Sequence, residues 1–267
     1  MILYLAESGG MWAAYFAKER GKTDGSIPCQ AHSATSSASA FSGTNILQSF
    51  YYCDEFTERE IIPHCKRFLL DSGAFTFMQG KARKVDFEDY IDKHIAFINR
   101  NNIELFFEMD IDDAIGLDGV ERIRRKLEKE TGKQPIPVFH KSRGRQYFER
   151  MCEEYKYVAI GGITGAKEKR EYLKYFPWFI ETAHKHGARI HGLGFTDMNH
   201  LPQCHFDSVD SSSWTAGNRY GFAFKFNGQS IETIQRKDGQ RIKSAKALAI
   251  HNFNERVKFQ KYAETNL

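Results

Sequence analysis

Eight short apolar runs, each followed by a loop or a helical pattern, constrain this chain more than any other feature. The runs are Met1–Leu5, Asn45–Phe50, Arg67–Leu70, Ile103–Met109, Ile136–His140, Tyr157–Ile160, Arg189–Leu193 and Phe206–Asp210. Each has the length of a buried strand and is too short for a core helix. Helical periodicity lies between most of them. Asp86 stands at a capping position before Phe87, Tyr90, Ile91, His94, Ile95 and Ile98, which share one helix face. Val120–Glu130 predicts a charged helix, and Gly165–His186 a third, ended by Gly187. Strand–helix alternation with right-handed crossovers yields a parallel sheet. Eight such units predict a closed (β/α)8 barrel, a single domain over residues 1–267.

Two stretches break the rhythm. From Gly21 to Gly43 the chain is rich in Gly, Ser and Ala and reads as a long loop at the barrel mouth. From Asn227 onward it carries Arg236, Lys237, Arg241, Lys243, Lys246, Arg256, Lys258 and Lys261. That pattern reads as a basic helical tail with a solvated face.

The 14% aromatic content excludes a disordered chain. No run of ~18 apolar residues is present, so no membrane span is expected. The start, MILYLAESGG, lacks the basic and long apolar regions of a signal peptide, and a cytoplasmic location is expected. The five cysteines, Cys29, Cys53, Cys65, Cys152 and Cys204, are scattered and read as unpaired structural thiols. A net charge of +4 permits a nucleic-acid partner without requiring one.

In a barrel of this kind the chemistry comes from the C-terminal strand ends. The third run leads into Asp71-Ser72-Gly73-Ala74-Phe75. The fourth ends in Glu108-Met109-Asp110, with Asp112 and Asp113 beyond. The sixth ends in Gly161-Gly162, where bare backbone can approach a flat ligand. The eighth ends in Asp207-Ser208-Val209-Asp210-Ser211. Asp110, Asp112 and Asp113 could serve a hard cation. His184 and His186 fall on different helix faces, so no zinc spacing is present, and no metal is expected.

These strand ends resemble a family. Asp71-Ser72-Gly73-Ala74-Phe75 is similar to the D-S-G-G-[FY] motif of the tRNA-guanine transglycosylases. Ala159-Ile160-Gly161-Gly162-Ile163 resembles their A-[LI]-G-G-L, His191-Gly192-Leu193-Gly194 their M-G-V-G, and Phe206–Ser211 their V-D-M-F-D-C. The motifs keep the family's order from about Arg67 to Trp214. The family's C-x-C-x-x-C…H zinc cluster is missing, since no cysteine follows Cys204. The compact chain, with V-D-S-S-S-W after its eighth run, is most similar to the zinc-free phage and bacterial DNA-guanine transglycosylases.

That resemblance implies exchange of guanine in DNA for a 7-deazaguanine base, such as 7-cyano-7-deazaguanine, through a covalent aspartyl–deoxyribose intermediate. The partners implied are double-stranded DNA and the free base as co-substrate. No cofactor is implied, because the exchange conserves the bond type. Asp210 takes the nucleophile's place, and Asp207 is the rival if F-D-S is aligned instead. Asp71 becomes the general acid/base, an effect worth roughly 10²–10⁴ in rate. Asp110 would accept from guanine N1–H and the 2-amino group, with Ser72 nearby. The N–H groups of Gly161 and Gly162 would reach O6. Phe75 and His191 would sandwich the base, and His140 stands where the family has a base-contacting Gln.

A base inside a duplex must be flipped out, at a cost of a few kcal/mol. Lys141, Arg143 and Arg145 after the fifth run, and Arg219 beyond the eighth, are the cations expected to hold phosphates. The competing readings are a tRNA-guanine transglycosylase without its zinc module and a non-catalytic nucleic-acid-binding barrel.

Overall fold

Every apolar run forms a strand. The computed structural model describes residues 1–7, 9–17, 40–73, 76, 87–163, 166–197, 200–235 and 244–267. The strands are β1 Ile2–Glu7, β2 Asn45–Ser49, β3 Arg67–Asp71, β4 Leu105–Phe106, β5 Val138–Phe139, β6 Tyr157–Ile160, β7 Arg189–Gly192 and β8 Ser208–Ser211. They lie parallel in the order β4-β3-β2-β1-β8-β7-β6-β5. The two edges meet through a parallel bridge between Phe107 and Ile136. Across it, Ile136 N–H donates to the Phe106 carbonyl at 2.8 Å, and Glu108 N–H to that of Ile136 at 3.0 Å. The sheet thus closes on itself as a (β/α)8 barrel of the triose-phosphate-isomerase type.

Alternation along each strand sorts the side chains. Tyr4, Ala6, Leu47, Leu69, Phe107, Ile136, Val138, Tyr157 and Ala159 pack together inside the barrel. Their neighbours Leu3, Leu5, Ile46, Val158, Ile160, Ile190 and Val209 join the helices in a separate outer core. Leu70 and Phe106 do the same with Ile91, Ile95, Ile98, Ile123 and Leu127. Both sides of the sheet are therefore buried, as all-parallel sheets require.

The elements around the barrel strands depart from expectation in four places. The segment expected as one helix over Gly165–His186 forms two, Ala166–Leu173 and Phe176–Lys185. Pro177 lies in the first turn of the second, where proline opens a helix but cannot continue one. The charged helix runs longer, over Asp112–Thr131, with a break at Gly116. Arg145–Glu154 is a helix the periodicity did not reveal. An unforeseen antiparallel hairpin, β9 Ala223–Phe226 with β10 Ile231–Ile234, follows the eighth strand.

The basic tail is not a tail. Ala245–Asn266 is a helix capped by the Ser244 hydroxyl and laid against β1 and the hairpin. It buries Ala249, Phe253, Phe259 and Ala263, and also Arg256, whose guanidinium lies 4.4 Å from the centre of the Phe224 ring. Gln260 donates to the carbonyls of Leu3 and Asn45, both at 2.8 Å, tying this helix to the strand starts. Residues 18–39, which hold most of the expected mouth loop, lie outside the described residues, as do Asp86 and residues 236–243. Among the described residues no helix is long and apolar enough to cross a membrane.

Candidate active site

Asp71 ends β3, Asp210 lies in β8, and Asp110 follows β4, all at the C-terminal end of the barrel. Asp71 is close enough to both of the others to feel their charge. Burial pushes its carboxyl up first, and the charges of Asp110 and Asp210 push it further. The Gly73 N–H and the Ser49 hydroxyl pull it back, and the balance is about 7. The Gly73 N–H reaches Asp71 Oδ2 at 3.1 Å. Gly73 can be nothing larger: its φ is +79°, and a Cβ would stand 2.5 Å from the Tyr90 hydroxyl. That hydroxyl donates to the Ser72 carbonyl at 2.7 Å, so the helix Phe87–Arg100 pins the turn.

Asp110 is held from two sides. The Ser72 hydroxyl reaches its Oδ1 at 3.4 Å and His140 Nε2 its Oδ2 at 3.3 Å. Ser72 is wholly buried, so it orients Asp110 and is not itself a binding surface. His140 sits immediately after β5 and keeps part of its ring exposed.

Of the Gly161-Gly162 pair, Gly161 has another role than the one expected. Gly161 N–H donates to the Phe139 carbonyl at 2.9 Å and is spent on the β-ladder, not on guanine O6. A Cβ on Gly161 would meet Val138 Cγ1 at 2.6 Å and His140 Cε1 at 3.0 Å. The bare backbone makes room for the His140 ring. Gly162 lies on the same side, against His140 and Tyr172, and is less buried.

Asp210 is 7% exposed, and its Oδ1 accepts from Gly194 N–H at 2.9 Å and faces His191 Nε2 at 3.1 Å. His191 has no exposed surface and packs against Phe107, 5.3 Å between ring centres. It lies beneath Asp210, not on a wall where it could stack on a base. Asp207, the rival nucleophile, precedes β8 at the opposite end of the barrel. Its Oδ2 accepts from Ile190 N–H at 2.8 Å and pairs with His184 at 3.0 Å.

The expected phosphate-holding cations separate. The Arg143 side chain is 1% exposed and bridges Glu108 at 2.9 Å and Asp112, so it is a buried structural group and not a rim cation. Glu108 has a second partner in Arg124 at 2.7 Å and also accepts from Val138 N–H at 2.9 Å. Burial pushes the Glu108 carboxyl up while the two guanidiniums pull it down. Lys141 and Arg145 are exposed. Lys141 pairs with Glu171 and lies 5.7 Å from the Tyr175 ring centre, and Arg145 lies 4.8 Å from that of Trp178. Arg219 falls in the short helix Ala216–Tyr220, its side chain outside the described set, and Phe75 lies outside the described residues.

Sequence reasoning missed Ser49, Tyr157 and Ser208 around these carboxylates. Ser208 had a signal: two residues from Asp210 on one strand, it faces the same side. Among the described residues no group of His, Cys, Asp and Glu could hold a metal ion. A cleft of about 350 Å³ lies on the outer wall between Arg125, Glu128, Arg150 and Tyr155. Its lining does not include Asp71, Asp110 or Asp210, and its charges are paired, Arg150 with Glu121 at 2.6 Å for one. The convergent carboxylates make the mouth the candidate site.

No protein-family model matches the chain, and no curated protein does. Among solved structures, the carboxyl transferase domain of Rhizobium etli pyruvate carboxylase, determined with pyruvate, aligns at 12% identity and a TM-score of 0.46. The alignment covers 99% of this chain and 47% of that one, so this chain spans about half the length of the solved protein.

Proposed function

We propose that this protein exchanges guanine in DNA for a 7-deazaguanine base such as 7-cyano-7-deazaguanine. The observation that carries this reading is the meeting of Asp71, Asp110 and Asp210 at one barrel end, with Asp71 titrating at about 7. Base exchange with retention needs a carboxylate nucleophile and a second carboxyl that can give and then take a proton. A carboxyl near 7 is half protonated at neutral pH and suits the second task.

In the first step Asp210 Oδ2 bonds to C1′ as the C1′–N9 bond breaks. The bond's electron pair stays on guanine, which takes a proton from Asp71. In the second step the incoming base gives its N9 proton to Asp71 and attacks C1′, and Asp210 leaves as a carboxylate. Asp110, braced by Ser72 and His140, accepts from N1–H and the 2-amino group. Adenine would leave that acceptor unpaired, which costs about 1–3 kcal/mol. His140, within hydrogen-bond distance of Asp110, would lie by the same edge of the base. Exposed Lys141 and Arg145 remain as phosphate contacts beside the mouth, while Arg143 drops out of that role.

The test is base exchange with labelled guanine, offered duplex DNA or tRNA. Label is expected in DNA, and its loss is expected in Asp71→Asn and Asp210→Asn. Label in tRNA alone would reject DNA as the substrate, and label in neither would reject the activity.

A further inference from the structure

Four side chains form one hydrogen-bonded file inside the barrel. The Tyr157 hydroxyl meets that of Ser208, Ser208 meets His191 Nδ1, and His191 Nε2 meets Asp210 Oδ1 at 3.1 Å. Tyr157, Ser208 and His191 are all buried. Strand register builds the file, since His191 pairs with Ser208 across β7 and β8, and Ser208 and Asp210 are two apart. Phe107 and Tyr4 flank the imidazole, at 5.3 and 6.0 Å between ring centres.

The proton inventory gives the file a direction. An ionised carboxylate only accepts, so the proton between His191 and Asp210 sits on Nε2. A neutral ring then accepts at Nδ1, and Ser208 donates there. Ser208 in turn accepts from Tyr157, which has no other hydrogen-bond partner among the described residues. Every proton is used once. An imidazolium would also donate from Nδ1. Ser208 would then accept from both neighbours or turn on Tyr157, and either way one hydroxyl proton would be left buried without an acceptor.

We propose that Tyr157, Ser208 and His191 are positioning residues that hold Asp210 Oδ1 through a neutral imidazole N–H, leaving Oδ2 as the atom that attacks C1′. This rests on the reading of Asp210 as nucleophile. The Gly194 N–H also ends on Oδ1, at 2.9 Å, and Oδ2 accepts no hydrogen bond from any described residue. Two neutral donors fix the carboxylate without giving it a counter-charge. Its other oxygen therefore stays an effective nucleophile at a carboxylate only 7% exposed.

Two measurements test this. In long-range ¹H–¹⁵N spectra near neutral pH, His191 is expected as the neutral Nε2–H tautomer. An Nδ1–H tautomer or an imidazolium would overturn the assignment, whether or not the protein exchanges bases. In kinetics, His191→Met removes the donor and is expected to slow covalent adduct formation roughly 10- to 100-fold, the worth of one hydrogen bond to a charged group. Guanine affinity should change by less than about twofold, because a group acting only through Asp210 alters the chemical step and not ground-state binding. His191→Gln, which keeps an N–H donor, should recover part of the rate. Weakened guanine binding with an unchanged adduct rate would instead make His191 a stacking wall and sink the proposal. Failure of the wild type to form any adduct would reject the transglycosylase reading, and the spectra would still judge the file.

Discussion

Asp71 carries the sharpest consequence at the scale of single residues. Its carboxyl rises from 3.8 to about 7 in the folded chain. The folded state therefore keeps a proton between those values that the unfolded chain has already lost. The stability this contributes is complete below pH 3.8 and drains away as pH climbs to about 7. Asp71→Asn should match the wild type in acid and become more stable as pH rises. The gap should reach a plateau above neutrality on the order of 1–3 kcal/mol, discounted because the residue keeps some contact with water. Denaturant melts across that range check it, and a gap that stays flat would contradict it. In the proposed reaction the departing guanine needs this proton, so kcat/KM should fall on the alkaline side with a midpoint near 7. Asp71 and Asp210 were legible because each ends a recognisable strand within a family-like motif. Arg143 was misread for the same reason: a cation just past a strand end looks alike whether it faces solvent or a buried acid. Glu108 and Asp112, its partners, are 35 and 31 residues away and meet it only when the barrel closes.

At the scale of elements, the Asp71–Gly73 turn depends on its neighbour helix. Gly73→Ala would force a Cβ against the Tyr90 hydroxyl and hold alanine at φ +79°. A loss of about 1–3 kcal/mol is expected, with a matching fall in adduct yield. Tyr90→Phe alone removes the hydroxyl that donates to the Ser72 carbonyl and should also destabilise. Together the two changes should cost less than their sum, since the clash needs both groups; strict additivity in a double-mutant cycle would contradict this. Strands were easier to read than helices here. A strand buried on both sides is a bare apolar run, whereas the last helix buries Glu255, Arg256 and Gln260 among its apolar residues. Those residues hide its contact with the barrel in a pattern that resembles a solvated face. The hairpin at 223–234 was hidden because its outer residues, Glu232, Thr233 and Ile234, are exposed and leave only a faint alternation.

The whole molecule has a seam. Strands β4 and β5 are two residues each, and among the described residues the one β-bridge between these edges is Phe107–Ile136. Glu108 reinforces it by accepting from Val138 N–H across the gap, and Arg143 and Arg124 neutralise that carboxylate. Arg143→Met should leave Glu108 a buried charge with one partner fewer, at a cost of about 3–5 kcal/mol. Amide exchange should accelerate first at Val138 and Ile136 and last in β1 and β2. DNA affinity of the folded variant should be unchanged. Uniform acceleration across the sheet would mean that the barrel has no weak side. The candidate site straddles this seam, because Asp110 and His140 follow the two shortest strands while Asp71 and Asp210 lie in longer ones. The proposed guanine contacts thus sit where the barrel yields most readily, and the two carboxylates proposed for the chemistry sit where it is firm.

The central claim is that Asp210 forms a covalent bond to the sugar while Asp71 handles the proton. Its most direct measurement is mass analysis of protein mixed with guanine-containing DNA and quenched in hydroxylamine-free denaturant. The account predicts one DNA adduct, on the peptide that contains Asp210 and on that aspartate, absent from Asp210→Asn. An adduct on Asp207 or Asp71, or undiminished base exchange in Asp210→Asn, would contradict it.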